Sequence, residues 1–304
     1  MIIISMMGGL GNQMFQYAAA KNLSIISDTT LKIDASNFRK LTANQEHVFQ
    51  LNCFKISAEQ AQREEIKKFK PSGDRVNKIL RRIAGAFMSR SNEINPNLLY
   101  EEPHGSEFRP GFFNLGPDRY LMGYFNSYKY FDPIRSLLLE EYKPKSEISA
   151  EARAVINEIE NSNSVSIHIR RGDYIHDPNV RKGLEGIITE RYYRNAVELV
   201  SSRVTNAHFF VFSNDMDWVK INFKMPLNVT YIDINSPQKG YEDLWIMSRC
   251  KHNITAGGST FSWWAAYLNQ NANKIVVRTE RINNDPKYNH PEDYFPPQWE
   301  IVAS

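Results

Sequence analysis

The chain has 304 residues, 42% of them apolar, 23% charged and 12% aromatic, with a formal net charge of +3. That length suffices for two domains of roughly 150 residues, each with its own core, and so even a charge balance gives no ground for nucleic acid as a partner. The two cysteines, Cys53 and Cys250, are too few for a disulfide framework or a zinc site and fit a reducing compartment.

At the start, Ile2-Ile3-Ile4 predicts a buried strand. The run Met1 to Met7 is short and lacks a charged leader, so neither signal peptide nor membrane anchor is expected, and a cytoplasmic location is. Gly8-Gly9-Leu10-Gly11-Asn12-Gln13 follows, then a helix over 14–26 and a strand over 31–33, the β-loop-α-β opening of a nucleotide-binding type of sheet. Gly9 and Gly11 let backbone approach a ligand at a helix N-terminus, and Asn12 and Gln13 add amides suited to a sugar or a diphosphate. A plain turn with Asn12 as N-cap is the competing account. The dinucleotide fingerprint is incomplete: Gly9, Gly11 and Asp34 are in place, but Met14 stands where the third glycine belongs.

Residues 36–145 alternate short helices with Pro- and aromatic-rich loops. Residues 63–90 hold nine Lys or Arg against three acids, and Ile79, Leu80, Ile83, Ala84, Phe87 and Met88 recur there at helical spacing. That pattern suits a surface helix, or one lying on the inner face of a membrane as a peripheral contact. Residues 120–125 read as one more strand with its exit. A boundary at Tyr142 to Ser146 divides the chain into domains 1–145 and 146–304, with a C-terminal tail that can pack back on the first.

The second half alternates helix 147–161, strand 164–169, helix 190–203, strands 208–212 and 229–232, helix 241–250, strand 254–255, helix 261–270 and strand 274–277. The fold class is therefore α/β, two doubly wound halves facing a cleft, with loops 8–13, 170–176, 213–217 and 256–260 at the carboxyl ends of strands, where such sheets bind ligands.

The richest stretch is His168-Ile169-Arg170-Arg171-Gly172-Asp173-Tyr174. Gly172-Asp173 predicts that the strand ends and releases both arginines into a loop, where planar guanidiniums grip phosphate oxygens in bidentate fashion. In the third loop, Ser213-Asn214-Asp215-Met216-Asp217 carries a D-x-D spacing that could hold a divalent ion; an N-cap role for Asp215 is preferred. In the fourth, Ser259, Thr260 and Phe261 open a helix whose N-terminus suits a phosphate, while Trp263 and Trp264 read as packing residues. Glu242 and Asp243 are either first-turn acids or acceptors for the edge of a guanine.

Together, Gly8-Gly9-Leu10-Gly11-Asn12-Gln13-Met14-Phe15-Gln16-Tyr17, the His168 heptad, Phe212-Ser213-Asn214-Asp215 and Ser259-Thr260-Phe261-Ser262-Trp263-Trp264-Ala265-Ala266 resemble the α-1,2-fucosyltransferases of glycosyltransferase family 11, of bacterial type, over nearly the whole chain. One departure is Ala256-Gly257-Gly258-Ser259-Thr260, where such sequences usually read Ala-Asn-Ser-Thr. The resemblance implies a GT-B type fold of two Rossmann-like domains and inverting, metal-independent transfer of L-fucose from GDP-β-L-fucose to the 2-hydroxyl of a terminal β-galactoside. GDP-fucose is then the donor substrate and no cofactor is expected. It also implies Arg170 or Arg171 at the β-phosphate and His168 at the nucleotide, with Ser213 and Asp215 at the donor site. Ser259, Thr260 and Phe261 would lie at a phosphate, Glu242 or Asp243 at the guanine, and Gly9, Gly11, Asn12 and Gln13 near the diphosphate-fucose. Asp173 is the first candidate for the general base, with His176 and Glu185 in reserve. Three other readings stand beside it: a metal-dependent GT-A type transferase using Asp215 and Asp217, an NAD-dependent oxidoreductase using Gly9, Gly11 and Asp34, and a non-catalytic sugar-binding protein.

Overall fold

A computed structural model describes residues 1–38, 48–69, 98–103, 105, 107–171, 177–223, 228–234 and 239–304. The basic helical stretch at 75–90 and the candidates Asp173 and His176 lie outside these.

Two parallel sheets carry the chain. The first has order β3-β2-β1-β5-β4, built from β1 (Ile2–Ser5), β2 (Leu31–Asp34), β3 (Glu59–Gln60), β4 (Leu99–Glu101) and β5 (Arg119–Met122). The second has order β11-β10-β9-β6-β7-β8, from β6 (Asn163–Ile169), β7 (Ala207–Ser213), β8 (Val229–Ile232), β9 (His252–Ile254), β10 (Val276–Thr279) and β11 (Glu300–Val302). The isoleucines of β1 are fully buried, as an apolar run demands when both faces of a central parallel strand are covered. The helices are α1 (Leu10–Ile26), α2 (Arg63–Phe69), α3 (Arg135–Glu141), α4 (Ala150–Glu160), α5 (Pro178–Leu184), α6 (Glu190–Arg203), α7 (Met216–Asn222), α8 (Gly240–Arg249), α9 (Thr260–Leu268) and α10 (Pro291–Tyr294). No described helix is long and apolar enough to cross a membrane.

β6 sits at the centre of its sheet with two different faces. Val165, Ile167 and Ile169 pack against Tyr192, Ala196 and Val200 of α6. Ser164, Ser166 and His168 alternate with them, all buried, and Asn253 satisfies Ser166 through its amide.

The halves share one core. Phe15 of α1 meets Trp263 and Trp264 of α9 at centroid distances of 4.5 and 5.0 Å, and Phe131 stacks on Trp264 at 5.1 Å. Both tryptophans are packing residues, with indole N–H groups bonded to Tyr294 O and Gly11 O. The tail reaches back as well: Tyr294, Phe295 and Trp299 join this cluster, and Asp293 takes Phe108 N–H and the Lys129 ammonium.

The helix expected over 14–26 begins four residues earlier, at Leu10, with Gly9 as its N-cap. Gly11 is a poor helix former, and the packing described below outweighs that propensity. Strands β3, β4 and β11 were not foreseen, because two or three residues carry no periodicity to read.

Candidate active site

β6 ends at Ile169, so the alternation that would send Arg170 and Arg171 to opposite faces stops before either of them. Arg171 is then fixed from three sides. Its backbone N–H donates to Asn214 Oδ1 at 2.9 Å, its Nε donates to Asp215 Oδ2 at 3.1 Å, and its guanidinium lies 3.2 Å over the Trp218 ring. Nη1 and Nη2 take no hydrogen bond among the described residues, which leaves the outer edge of the fork for a ligand.

Asp215 therefore corrects its expected capping role. It occupies the N-cap position of α7, but its side chain makes no cap bond; the carboxylate is turned to a guanidinium, where both partners are charged. Its own N–H donates to Ser213 Oγ at 3.0 Å. The first carboxylate of the D-x-D pair is thus paired with a cation. The one described cluster with ion-binding spacing is His290, Glu292 and Asp293, and there Asp293 is taken by Lys129 and Phe108.

His168 is buried, and its pKa falls to about 3, first because burial disfavours the imidazolium and second because Arg170 is nearby. Its Nδ1 is buried without a hydrogen-bond partner among the described residues, and its ring lies 5.5 Å from Phe261. A neutral imidazole near Arg170 adds no competing positive charge there. The depressed value has a consequence for stability. The unfolded chain takes up a proton below about pH 6.5 that the native state refuses, so stability present above that pH is lost as pH falls towards 3. Wild-type protein is expected to lose about 2 kcal/mol more than His168→Asn between pH 7.5 and pH 5, read from urea midpoints; equal losses would show that the native imidazole titrates normally.

The expected loops converge. Gly11 lies so close to α9 that a Cβ there would stand 2.6 Å from the Thr260 carbonyl carbon and 2.8 Å from Phe261 N. Ser259, at the N-cap of α9, makes no side-chain cap bond, so the first-turn N–H groups there are not met by a serine hydroxyl. Gly257 packs against the Thr279 side chain and Gly258 adopts φ +69°, so this chain's glycine pair fits a loop folded against the exit of β10.

Four expected residues prove committed to the scaffold. Gln13 donates to Gly8 O and Val48 O and accepts from Gln50 N–H, so its amide holds the neighbouring segments. Glu242 accepts from the hydroxyl and N–H of Ser149, which ties α8 to the cap of α4, while Asp243 is half-buried in the same first turn. Asp34 is buried under Tyr120 OH and Ser36 N–H, and Gly11 faces a helix, so the nicotinamide reading loses two of its three anchors. Asn12 caps nothing; it lines a cavity.

That cavity, about 530 Å³, opens between the halves. Met7, Asn12, Glu101, Glu102 and residues 122–124 form one wall; Val180, Leu184, Gly258, Ile282 and Tyr288 form another. Glu102 lines it too, a residue no sequence pattern marked: it follows a three-residue strand and precedes a proline, and its neighbours come from Gly123 to Phe125, far away in sequence. Glu185, by contrast, is exposed beyond the end of α5.

Comparison with known proteins agrees with this geometry. A family model described as Glycosyl transferase family 11 matches residues 96–303. An alpha-1,2-colitosyltransferase of Escherichia coli is 29% identical over 289 residues, covering 88% of this chain and 87% of that one. A galactoside alpha-(1,2)-fucosyltransferase 2 of Pongo pygmaeus is 29% identical over 197 residues, covering 60% and 55%. Among solved structures, POFUT1 in complex with GDP aligns with a TM-score of 0.50 at 15% identity, over 91% of this chain and 97% of that one, a likeness of fold.

Proposed function

The chain belongs to glycosyltransferase family 11, with a fold of GT-B type, and from that membership we propose that it transfers L-fucose from GDP-β-L-fucose to the 2-hydroxyl of a terminal β-galactoside, inverting to an α-1,2 linkage without a metal ion. The observation that carries the reading is the Arg171 fork, held by Asp215 and Trp218 with its outer edge unspent among the described residues, together with neutral His168 and the first turn of α9, which its N-cap serine does not cap. As the glycosidic C1–O bond breaks, its electron pair moves onto the β-phosphate. The charge that develops there is what oriented guanidiniums and helix N–H groups stabilise more in the transition state than in the ground state. Arg170, Arg171, Ser259 and Thr260 supply those groups, Asp243 takes the guanine edge, and the cavity holds the acceptor against the sugar.

The test is GDP release from GDP-fucose with and without lactose, in excess EDTA, with GDP-mannose and UDP-galactose as controls. Lactose-stimulated release from GDP-fucose alone is expected, with the linkage read by NMR of the product. Release only after Mn²⁺ is added would overturn the metal-free reading, and no release from any donor would overturn the function. The 29% identity to a colitosyltransferase suggests a nucleotide-activated colitose as a second donor to add to the same assay.

A further inference from the structure

We propose that Glu102 is the group that takes the proton from the acceptor hydroxyl, an inference that rests on the reading above. Transfer to a hydroxyl needs a proton acceptor on the acceptor's side of the reacting carbon. The cavity between the halves is the described space for an acceptor, and no lysine or arginine lines it among the described residues. Glu101 and Glu102 are its acids; Glu101 is exposed and Glu102 buried.

The backbone is built around the Glu102 carboxylate. Oε2 accepts from Tyr124 N–H and Phe125 N–H, both at 2.8 Å, while Oε1 takes no hydrogen bond among the described residues. Two unusual conformations make that clamp: Gly123 at φ +155° and Phe125 at φ +52°. A Cβ at Gly123 would collide with the Glu102 side chain, reaching 2.6 Å from Oε2, so only glycine lets the carboxylate sit there. Strain of this kind persists where the surrounding structure over-determines it, often at functional sites. Around it the wall suits a sugar. Tyr124 and Tyr288 present partly exposed rings, Asn12 and Asn283 present amides, and Asn126 Oδ1 is buried without a partner among the described residues. Asn12 and Gly258 belong both to this cavity and to the loops that converge at α9, so an acceptor lodged here stands next to a sugar carried on the nucleotide.

The electrostatics fit the task. Burial pushes the Glu102 carboxyl up to about 7, against the pull of the two N–H groups and of Arg109. The other titratable groups that feel its charge are the phenols of Tyr100 and Tyr130, whose own values are raised mainly by burial. With this value the carboxyl is about half ionised at neutral pH, and its carboxylate form is a stronger base than an ordinary one and can accept a proton as the C–O bond forms. The acceptor oxygen bonds to C1, the C1–O bond to GDP breaks with its electron pair leaving on the phosphate, and the hydroxyl proton passes to Glu102.

Glu102→Gln keeps shape and can keep an oxygen on the Tyr124 and Phe125 N–H groups, so a role in structure alone predicts little change. The proposal predicts a fall in kcat for lactose of 100-fold or more, with GDP binding measured by calorimetry and the melting temperature both retained. It also predicts that the wild-type rate rises with pH through an ionisation near 7, and that this limb is missing in the variant. A variant within threefold of wild type with the same pH limb overturns the inference, as does a wild-type profile with no ionisation between pH 6 and 8. A wild type that transfers to no galactoside fails the functional reading itself, so the two failures are distinguishable. Asp173→Asn run in parallel identifies the rival: loss of the limb there and not in Glu102→Gln assigns the proton to Asp173.

Discussion

Replacement of Arg171 by alanine is expected to lower the turnover of GDP-fucose by roughly 10²–10³-fold, the cost of removing one preorganised donor from a developing oxyanion. The fold should survive the change. Arg171 and Asp215 are 22% and 38% exposed at the side chain, so their ion pair is partly solvated and its loss costs at most about 1 kcal/mol. A drop in kcat with an unchanged melting temperature therefore separates catalysis from unfolding. Lysine should not rescue. The Asp215 bond is made from Nε and the stack on Trp218 needs a planar cation, and an ammonium offers neither while also presenting a fork to phosphate. Asp215→Asn should fall between wild type and Arg171→Ala, since it weakens the aim of the fork without removing it. Alanine and lysine variants that both stay within threefold of wild-type kcat would remove Arg171 from the mechanism.

What the sequence disclosed and what it hid divide along a physical line. The alternation of β6 with Gly172-Asp173 behind it foretold a strand that ends just before the arginines, and it does. The helix at Glu190–Arg203 and the strand at Val229–Ile232 fall where their patterns put them, because each buries an apolar face long enough to show a period. Side chains with two possible employers were not decidable locally. Asp215 chose a guanidinium 44 positions away over its own helix, Gln13 chose carbonyls at Gly8 and Val48, and Glu242 chose Ser149. Each competes between a local bond and a tertiary one, and only the tertiary geometry decides. Glu102 was the hardest case. Its meaning comes from burial and from two left-handed backbone positions that only the folded chain brings to it.

Gly11→Ala is expected to destabilise the protein by about 1–3 kcal/mol, the usual cost of forcing an added methyl into packed surroundings, and the sign is the informative part. Gly11 lies inside α1, where exchanging glycine for alanine ordinarily stabilises by up to about 1 kcal/mol through helix propensity and a less free unfolded chain. Against that gain stands a Cβ 2.6 Å from the Thr260 carbonyl carbon and Oγ1 and 2.8 Å from Phe261 N, two of them backbone atoms that cannot swing aside. The only relief is to move α1 from α9, and that strains the Trp264 to Gly11 hydrogen bond and the Phe15 contacts with both tryptophans. A lower denaturation midpoint in Gly11→Ala would show that this glycine serves the joint between the two sheets, whereas a neutral or raised midpoint would return it to the role of a loop glycine approaching a ligand. The same displacement shifts the first turn of α9, so activity should fall by more than the loss of folded protein accounts for, measured as kcat per folded molecule.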